Sequence, residues 1–239
     1  MKSERDIVYI LKNDIKPDEL RYSLRSVCEN FPHRNIVFVG GCPDMLSCDL
    51  HIPHKQVGAT KWQKAMSSLK AIVSDRRISE EFFLFNDDFF ILSPIDTNNF
   101  VNFSCGTLEK RIAELYNSFN KTSAYSTRLQ DLKFTLDKMG KNSMSFTLHL
   151  PFLLEKTKLQ ELFEKYPDIS MLRSFYGNYF NVPYIYHKDV KIYDDFKIPE
   201  FDDYCSTSDD AFKNGKVGKW LKKRFNTPCR YELDQPQNF

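Results

Sequence analysis

The sequence predicts an α/β fold, with a Rossmann-type, mostly parallel central sheet flanked by helices, from three stretches. The first opens the chain. "DIVYIL" is a short apolar, β-rich run from residue 6, and "NIVFVG" is a second, stopped by Gly40 and Gly41. Between them "KPDELRYSLRSVCENF" places Leu20, Leu24, Val27 and Phe31 on one helical face, with Pro17 near the start. Strand, helix and strand within about forty residues make a parallel βαβ unit. The second stretch, "KWQKAMSSLKAIVSD", repeats Trp62, Met66, Leu69 and Val73 at helical period. The third, "EEFFLFNDDFFIL" from residue 80, runs Phe82 to Phe85 without alternation. Unbroken apolar runs belong to central strands covered by helices on both faces.

The remaining elements follow in chain order. Residues 93–142 read as a helical insertion ("LEKRIAELYNSF", "RLQDLKFTLDKM") within a single domain covering residues 1–239. "MSFTLHL" is expected to be a strand ending at His149, and "PFLLEKTKLQELFEKY" a helix with Pro151 at its beginning. The last third is rich in Tyr, Phe and Asp. No repeat, low-complexity tract or flexible linker divides the chain.

Bulk composition narrows the class. Hydrophobic residues at 41% and charged residues at 28% belong to a folded, soluble protein. No apolar run approaches the ~18 residues of a membrane span. The charged start, "MKSERDIVYI", runs directly into a strand pattern and not a signal peptide, so a cytoplasmic location is expected. The six cysteines form no C-x-x-C pair and are expected to be reduced and mostly structural, which makes zinc an unlikely cofactor. A net charge of +2 does not by itself point to nucleic acid, which needs local basicity.

The chemical signal centres on Asp87 and Asp88, two adjacent carboxylates at the end of the central strand. In open α/β sheets that edge is where ligands bind. A divalent cation, Mg²⁺ or Mn²⁺, would neutralise the pair and complete its shell with substrate phosphates; a turn with locally bonded side chains is the alternative. His149 is a base, a phosphate contact or a structural histidine. Arg173, one charge amid apolar and aromatic residues, suits a bidentate phosphate clamp or a buried salt bridge. Asp209 and Asp210 form a second acidic pair, or cap a helix starting at Ala211. The basic run "KNGKVGKWLKKR" is a solvated helix face or a phosphate-backbone contact.

These pieces together resemble the Stealth family, which takes in capsular-polysaccharide hexose-1-phosphate transferases and N-acetylglucosamine-1-phosphotransferase subunits. Four blocks match in order: "DIVYILKN"; "DELRYSLRSV" with "HRNIVFVG" and "ISEEFFLFNDDFFIL"; "HLPFLLEKTKLQEL"; and "YCSTSDDAF" with "FNTPCRYE". The first block lacks the usual tryptophan, and Cys229 stands where a serine is usual. The segment "KWQKAMSSLKAI" replaces the usual Asn-Ser-His-Ala-Ile-Glu-like stretch and puts Lys64 about where the asparagine falls. The resemblance implies a nucleotide-sugar-binding fold of the glycosyltransferase A (GT-A) kind, with functional roles at Asp87, Asp88, His149, Arg173 and Asp209.

The expected function is a metal-dependent transferase that takes a nucleotide sugar, a UDP-linked one first, as donor. Asp87, Asp88 and Asp209 would hold Mg²⁺ or Mn²⁺, Arg173 and Lys64 would contact the diphosphate, and Asn13 or Arg21 would seat the nucleotide. His149 would deprotonate the acceptor hydroxyl or bind the transferred phosphate. A glycan is the first expected acceptor. A hydroxymethylated DNA base is the alternative, served by the basic residues 213–224, and a non-catalytic carbohydrate-binding protein is the second.

Overall fold

The computed structural model describes residues 3–119, 123–193 and 198–233. Its elements in chain order are β1 (Asp6–Leu11), α1 (Pro17–Asn30), β2 (Ile36–Gly40), β3 (Leu50–Ile52), α2 (Lys61–Ser74), β4 (Glu81–Phe85), β5 (Phe89–Ile91), β6 (Asn102–Ser104), α3 (Leu108–Phe119), α4 (Ala124–Lys138), β7 (Phe152–Glu155), α5 (Lys156–Lys165), α6 (Leu172–Tyr179), β8 (Tyr184–Tyr186), β9 (Lys191–Ile192), β10 (Tyr204–Thr207), α7 (Asp209–Lys213) and α8 (Lys216–Arg224).

The central sheet has the order β3-β2-β1-β4-β7. Its first four strands are parallel, with Ile7 in register with both Ile36 and Phe83. Strand β7 is the antiparallel edge and pairs Leu153 with Phe83. Successive residues of a strand face opposite sides, so unbroken apolar runs fill two cores. Ile7, Tyr9, Phe38, Phe83 and Phe85 pack with Leu20, Leu24 and Val27 of α1 and with Phe31 just beyond its end. Val8, Val37, Phe82 and Leu84 pack on the other face with Leu69 and Ile72 of α2, Leu159 of α5 and Phe175 of α6. The mostly parallel α/β sheet expected from the sequence is therefore present. Gly40 ends β2 at φ +107°, where a Cβ would stand 2.1 Å from the Leu11 carbonyl oxygen; only glycine allows the strands to close here.

A second, three-stranded sheet has the order β5-β10-β9, with β10 antiparallel to β5 and parallel to β9. It carries its own core of Phe90, Ile192, Phe212, Val217 and Leu221 beneath α7 and α8. The chain passes from the central sheet to this one through Asn86, Asp87 and Asp88. A two-stranded sheet, β6-β8, completes the fold. Among the described residues, no helix is long and apolar enough to cross a membrane.

Two expectations are corrected. Residues 144–150 do not form the strand predicted there. Side chains hold the segment in place of a sheet ladder: Asn178 accepts from the Met144 amide at 2.7 Å and donates to its carbonyl at 2.7 Å, and Ser174 Oγ accepts from the Phe146 amide at 2.9 Å. The helix expected from Pro151 begins at Lys156, because Phe152 and Leu154 bury one face of β7 against β4. Residues 93–142 carry the expected helices, α3 and α4, after a loop and the short strand β6.

Candidate functional site

The site lies where the parallel strands end and the two larger sheets meet. Strand β4 delivers Asp87 and Asp88 into a turn closed by the Phe89 amide, which donates to the Asn86 carbonyl at 3.3 Å. The turn and the strand-end acidic pair are therefore the same feature. Pairing of β10 with β5 and β9 sets Ser206 opposite both Phe89 and Lys191. That register brings Ser206 Oγ within 3.2 Å of Asp88 Oδ2, and Lys191 Nζ donates to the same oxygen and to the Thr207 carbonyl. Asp209 follows as the first residue of α7. Ser208, and neither aspartate, caps that helix, its Oγ accepting from the Ala211 amide at 3.2 Å.

Helix α1 starts beyond the end of β1, so its first turn faces the same edge. Glu19 there accepts from Thr207 Oγ1 at 3.2 Å. Burial, followed by the charges of Asp88, Asp209 and Asp87, raises the Glu19 carboxyl to about 7. Burial and then the Asp88 charge also push Asp87 above the usual carboxylate range. Four acids from three segments thus share one field. Sequence reasoning passed over Glu19, because an acid in a helix's first turn is ordinarily a dipole complement.

Arg173 of α6 is held by backbone carbonyls through one arm of its guanidinium. Its Nη1 donates to the Leu148 and Leu150 carbonyls at 2.8 and 3.0 Å, fastening the segment that carries His149, while Nη2 faces Asn86 Oδ1 at 3.5 Å. Desolvation draws its pKa down to about 10 against the opposing charges of Asp88 and Asp189. The guanidinium therefore links the acidic turn to the histidine. His149 Nδ1 lies 3.0 Å from both carboxylate oxygens of Asp189. Burial pushes Asp189 up, but the hydrogen bond and charge of His149 outweigh it and hold the carboxyl below its usual value. Arg111 from α3 approaches Asp189 at 3.8 Å. Asp189 and Lys191 lay in an unremarkable "HKDVKIY" stretch; only a carboxylate partner sought for His149 could have singled out Asp189.

The other expected residues are placed as follows. Asn13 is exposed in the β1–α1 loop, and Lys64 is exposed in the first turn of α2. Arg21 is turned to Glu232 at 3.5 Å, beside the bidentate Arg25–Glu232 pair. In the basic run, Lys213 reaches Asp209 at 3.7 Å, Lys222 lies 4.5 Å from the Phe212 ring centroid, and Arg224 donates to the Leu92 carbonyl.

The fit of a metal can be judged from Asp88. At the opposite edge of the sheet, Asp6 is saturated by a bidentate Arg34 and the Ser79 amide. Asp88 Oδ1, by contrast, is buried with no hydrogen-bond partner. Among the described residues, no group of three or more His, Cys, Asp or Glu forms a metal cage. An Mg²⁺-type ion needs no such cage, since it takes one or two carboxylates, waters and substrate phosphates. Asp88 Oδ1, left without a partner while Lys191 holds Oδ2, is a donor that fits an ion of that kind.

No family model matches the chain, and no curated protein matches it. Among solved structures, the apo form of the glycosyltransferase GlyE from Streptococcus pneumoniae TIGR4 is similar at 12% identity and a TM-score of 0.44, covering 94% of this chain and 61% of that one. An active-site mutant of LgtC gives 12% identity and a TM-score of 0.43, over 95% of this chain and 85% of that one. A second GlyE structure gives 10% identity and a TM-score of 0.43, over 95% and 61%. This chain thus spans less than two thirds of the GlyE structures. Likeness at this level assigns no activity.

Proposed function

We propose that this protein is a metal-dependent transferase that moves a glycosyl or sugar-1-phosphate group from a nucleotide-activated sugar to an acceptor hydroxyl of a glycan. The observation that carries this reading is the convergence, at the ligand edge of the sheet, of Asp87, Asp88, Glu19 and Asp209 with Arg173 and an Asp189-held His149. Glu19, Asp87, Asp88, His149 and Asp209 come from three of the four Stealth-like blocks, which supports the family reading, while Arg173 and Asp189 lie outside them.

Each side chain then has a chemical role. Asp88 Oδ1 would hold Mg²⁺ or Mn²⁺, with Asp87 and Asp209 as the neighbouring acids. When bound, the ion supplies positive charge to the diphosphate as its bond breaks. Arg173 Nη2 and Lys64 would contact that diphosphate, and Asn13 in the β1–α1 loop would meet the nucleotide. Asp189 accepts from Nδ1–H of His149, which leaves Nε2 as the proton acceptor for the incoming hydroxyl.

The test is turnover of UDP-sugars with a glycan acceptor, in Mn²⁺ or EDTA, followed by identification of the released nucleotide. Released diphosphate means attack at the anomeric carbon, and released monophosphate means transfer of sugar-1-phosphate. Equal rates in Mn²⁺ and EDTA would remove the metal from the proposal. A second reading, a carbohydrate-binding protein without catalysis, is favoured by exposed Tyr184, Tyr186, Tyr193 and Phe201, whose rings can stack on sugars. Glycan binding with no turnover of any donor would decide for it.

A further inference from the structure

Four of the six cysteines stand as two thiol pairs away from the site. The thiols of Cys42 and Cys48 influence each other in the β2–β3 connection, and that of Cys28, in the last turn of α1, does the same with Cys229. All are free thiols. The two pairs differ in what surrounds them. Burial pushes both Cys42 and Cys48 up, Cys48 to about 12, and the Cys42 thiol is already directed at the Leu46 carbonyl at 3.7 Å. Cys28 and Cys42 are both exposed, but Cys28 with Cys229 lines an open surface cavity of about 530 Å³ together with Arg25, His33 and Arg230.

We propose that Cys28 and Cys229 form a thiol–disulfide modification site, closed by exchange with a small anionic disulfide such as oxidised glutathione. The cavity gives such a molecule a path to the sulfurs, and Arg230 at its edge, half-exposed beside Asp49, is a cation for a carboxylate of that molecule. The segment bearing Cys229 is already in position. Glu232 grips Arg25, the Ser47 amide donates to the Tyr231 carbonyl at 2.7 Å, and the Leu233 amide donates to the Met45 carbonyl at 3.1 Å.

The order of events follows from the effect of each thiol on the other. The Cys28 thiol draws Cys229 down against its burial, with Arg25 assisting, while Cys229 and burial push Cys28 up. Cys229 is thus the attacking thiolate. It displaces one small thiol and forms a mixed disulfide. Cys28 then releases its proton, attacks the Cys229 sulfur and expels the second small thiol. Two protein thiols and one small disulfide become one protein disulfide and two small thiols. The product fastens the C-terminal segment covalently to α1, across nearly the whole length of the chain.

The experiment treats the full, native chain with oxidised glutathione, alkylates the remaining thiols and maps the unreduced peptides. The expected result is one crosslink, Cys28 to Cys229, reversed by dithiothreitol and accompanied by a rise in thermal midpoint. Cys28→Ser, at an exposed position, should leave Cys229 as a persistent glutathione adduct. Alkylation of both Cys28 and Cys229, a crosslink confined to Cys42 and Cys48, or a persistent adduct on the wild-type chain would each overturn the proposal.

Discussion

Glu19 shows at one residue what the shared field of the site does. Its folded carboxyl lies at about 7 against 4.5 for the ordinary group, so the folded state holds this proton more tightly than the unfolded one. The associated stability is complete below pH 4.5 and is lost as pH rises through about 7. Glu19→Gln should flatten that decline in urea midpoints measured across the same window; an unchanged slope would show that other groups set it. The His149–Asp189 pair makes a kinetic prediction. Asp189→Asn removes the carboxylate that fixes the ring, and kcat should fall by roughly 10²–10⁴ while donor KM changes little. Of the site's members, Asp87 and Asp88 were legible because two apolar blocks frame them. Asp189, Lys191 and Glu19 were not, because each takes its meaning from a partner far away in sequence: His149, Asp88 and Thr207.

The same distinction holds for elements. Strands β1, β2 and β4 announce themselves because burial on both faces demands unbroken apolar runs, and α1 and α2 because one face must be apolar every three or four residues. Residues 144–150 have an equally apolar pattern but are fastened by side chains of α6, and no local pattern encodes that. Asn178 is the principal fastener, 2% exposed, with bonds to the Met144 amide, the Met144 carbonyl and the Ser174 carbonyl, each at 2.7 Å. Asn178→Ala would leave buried backbone groups unpaired and should destabilise the protein by about 3 kcal/mol in denaturant titrations. Because the same segment ends at His149, kcat should fall with it. A stable variant with normal kcat would show that Arg173 and Asp189 position the histidine without Asn178.

Across the whole molecule, the site is assembled by parts that otherwise have separate cores. The turn of Asp87 and Asp88 leaves the central sheet, Asp209 leaves the small one, Glu19 rides on α1, and Arg173 and His149 come from α6 and the segment it holds. A diphosphate bound at Asp88 and Arg173 would bridge these cores, so donor binding is expected to stabilise the entire chain. A ligand at a hundred times its Kd adds about 2.7 kcal/mol by mass action. For a chain of this size that raises the thermal midpoint by roughly 5–10 °C. With UDP-sugar and Mn²⁺ together the wild type should show this rise, and with either alone a smaller one, since the ion takes part of its shell from the diphosphate. Asp88→Asn keeps the shape of the side chain but removes its charge, and should abolish the joint effect. If the variant shows the full rise, the anchor lies elsewhere on the edge, and Asp87 with Asp209 become the residues to replace next.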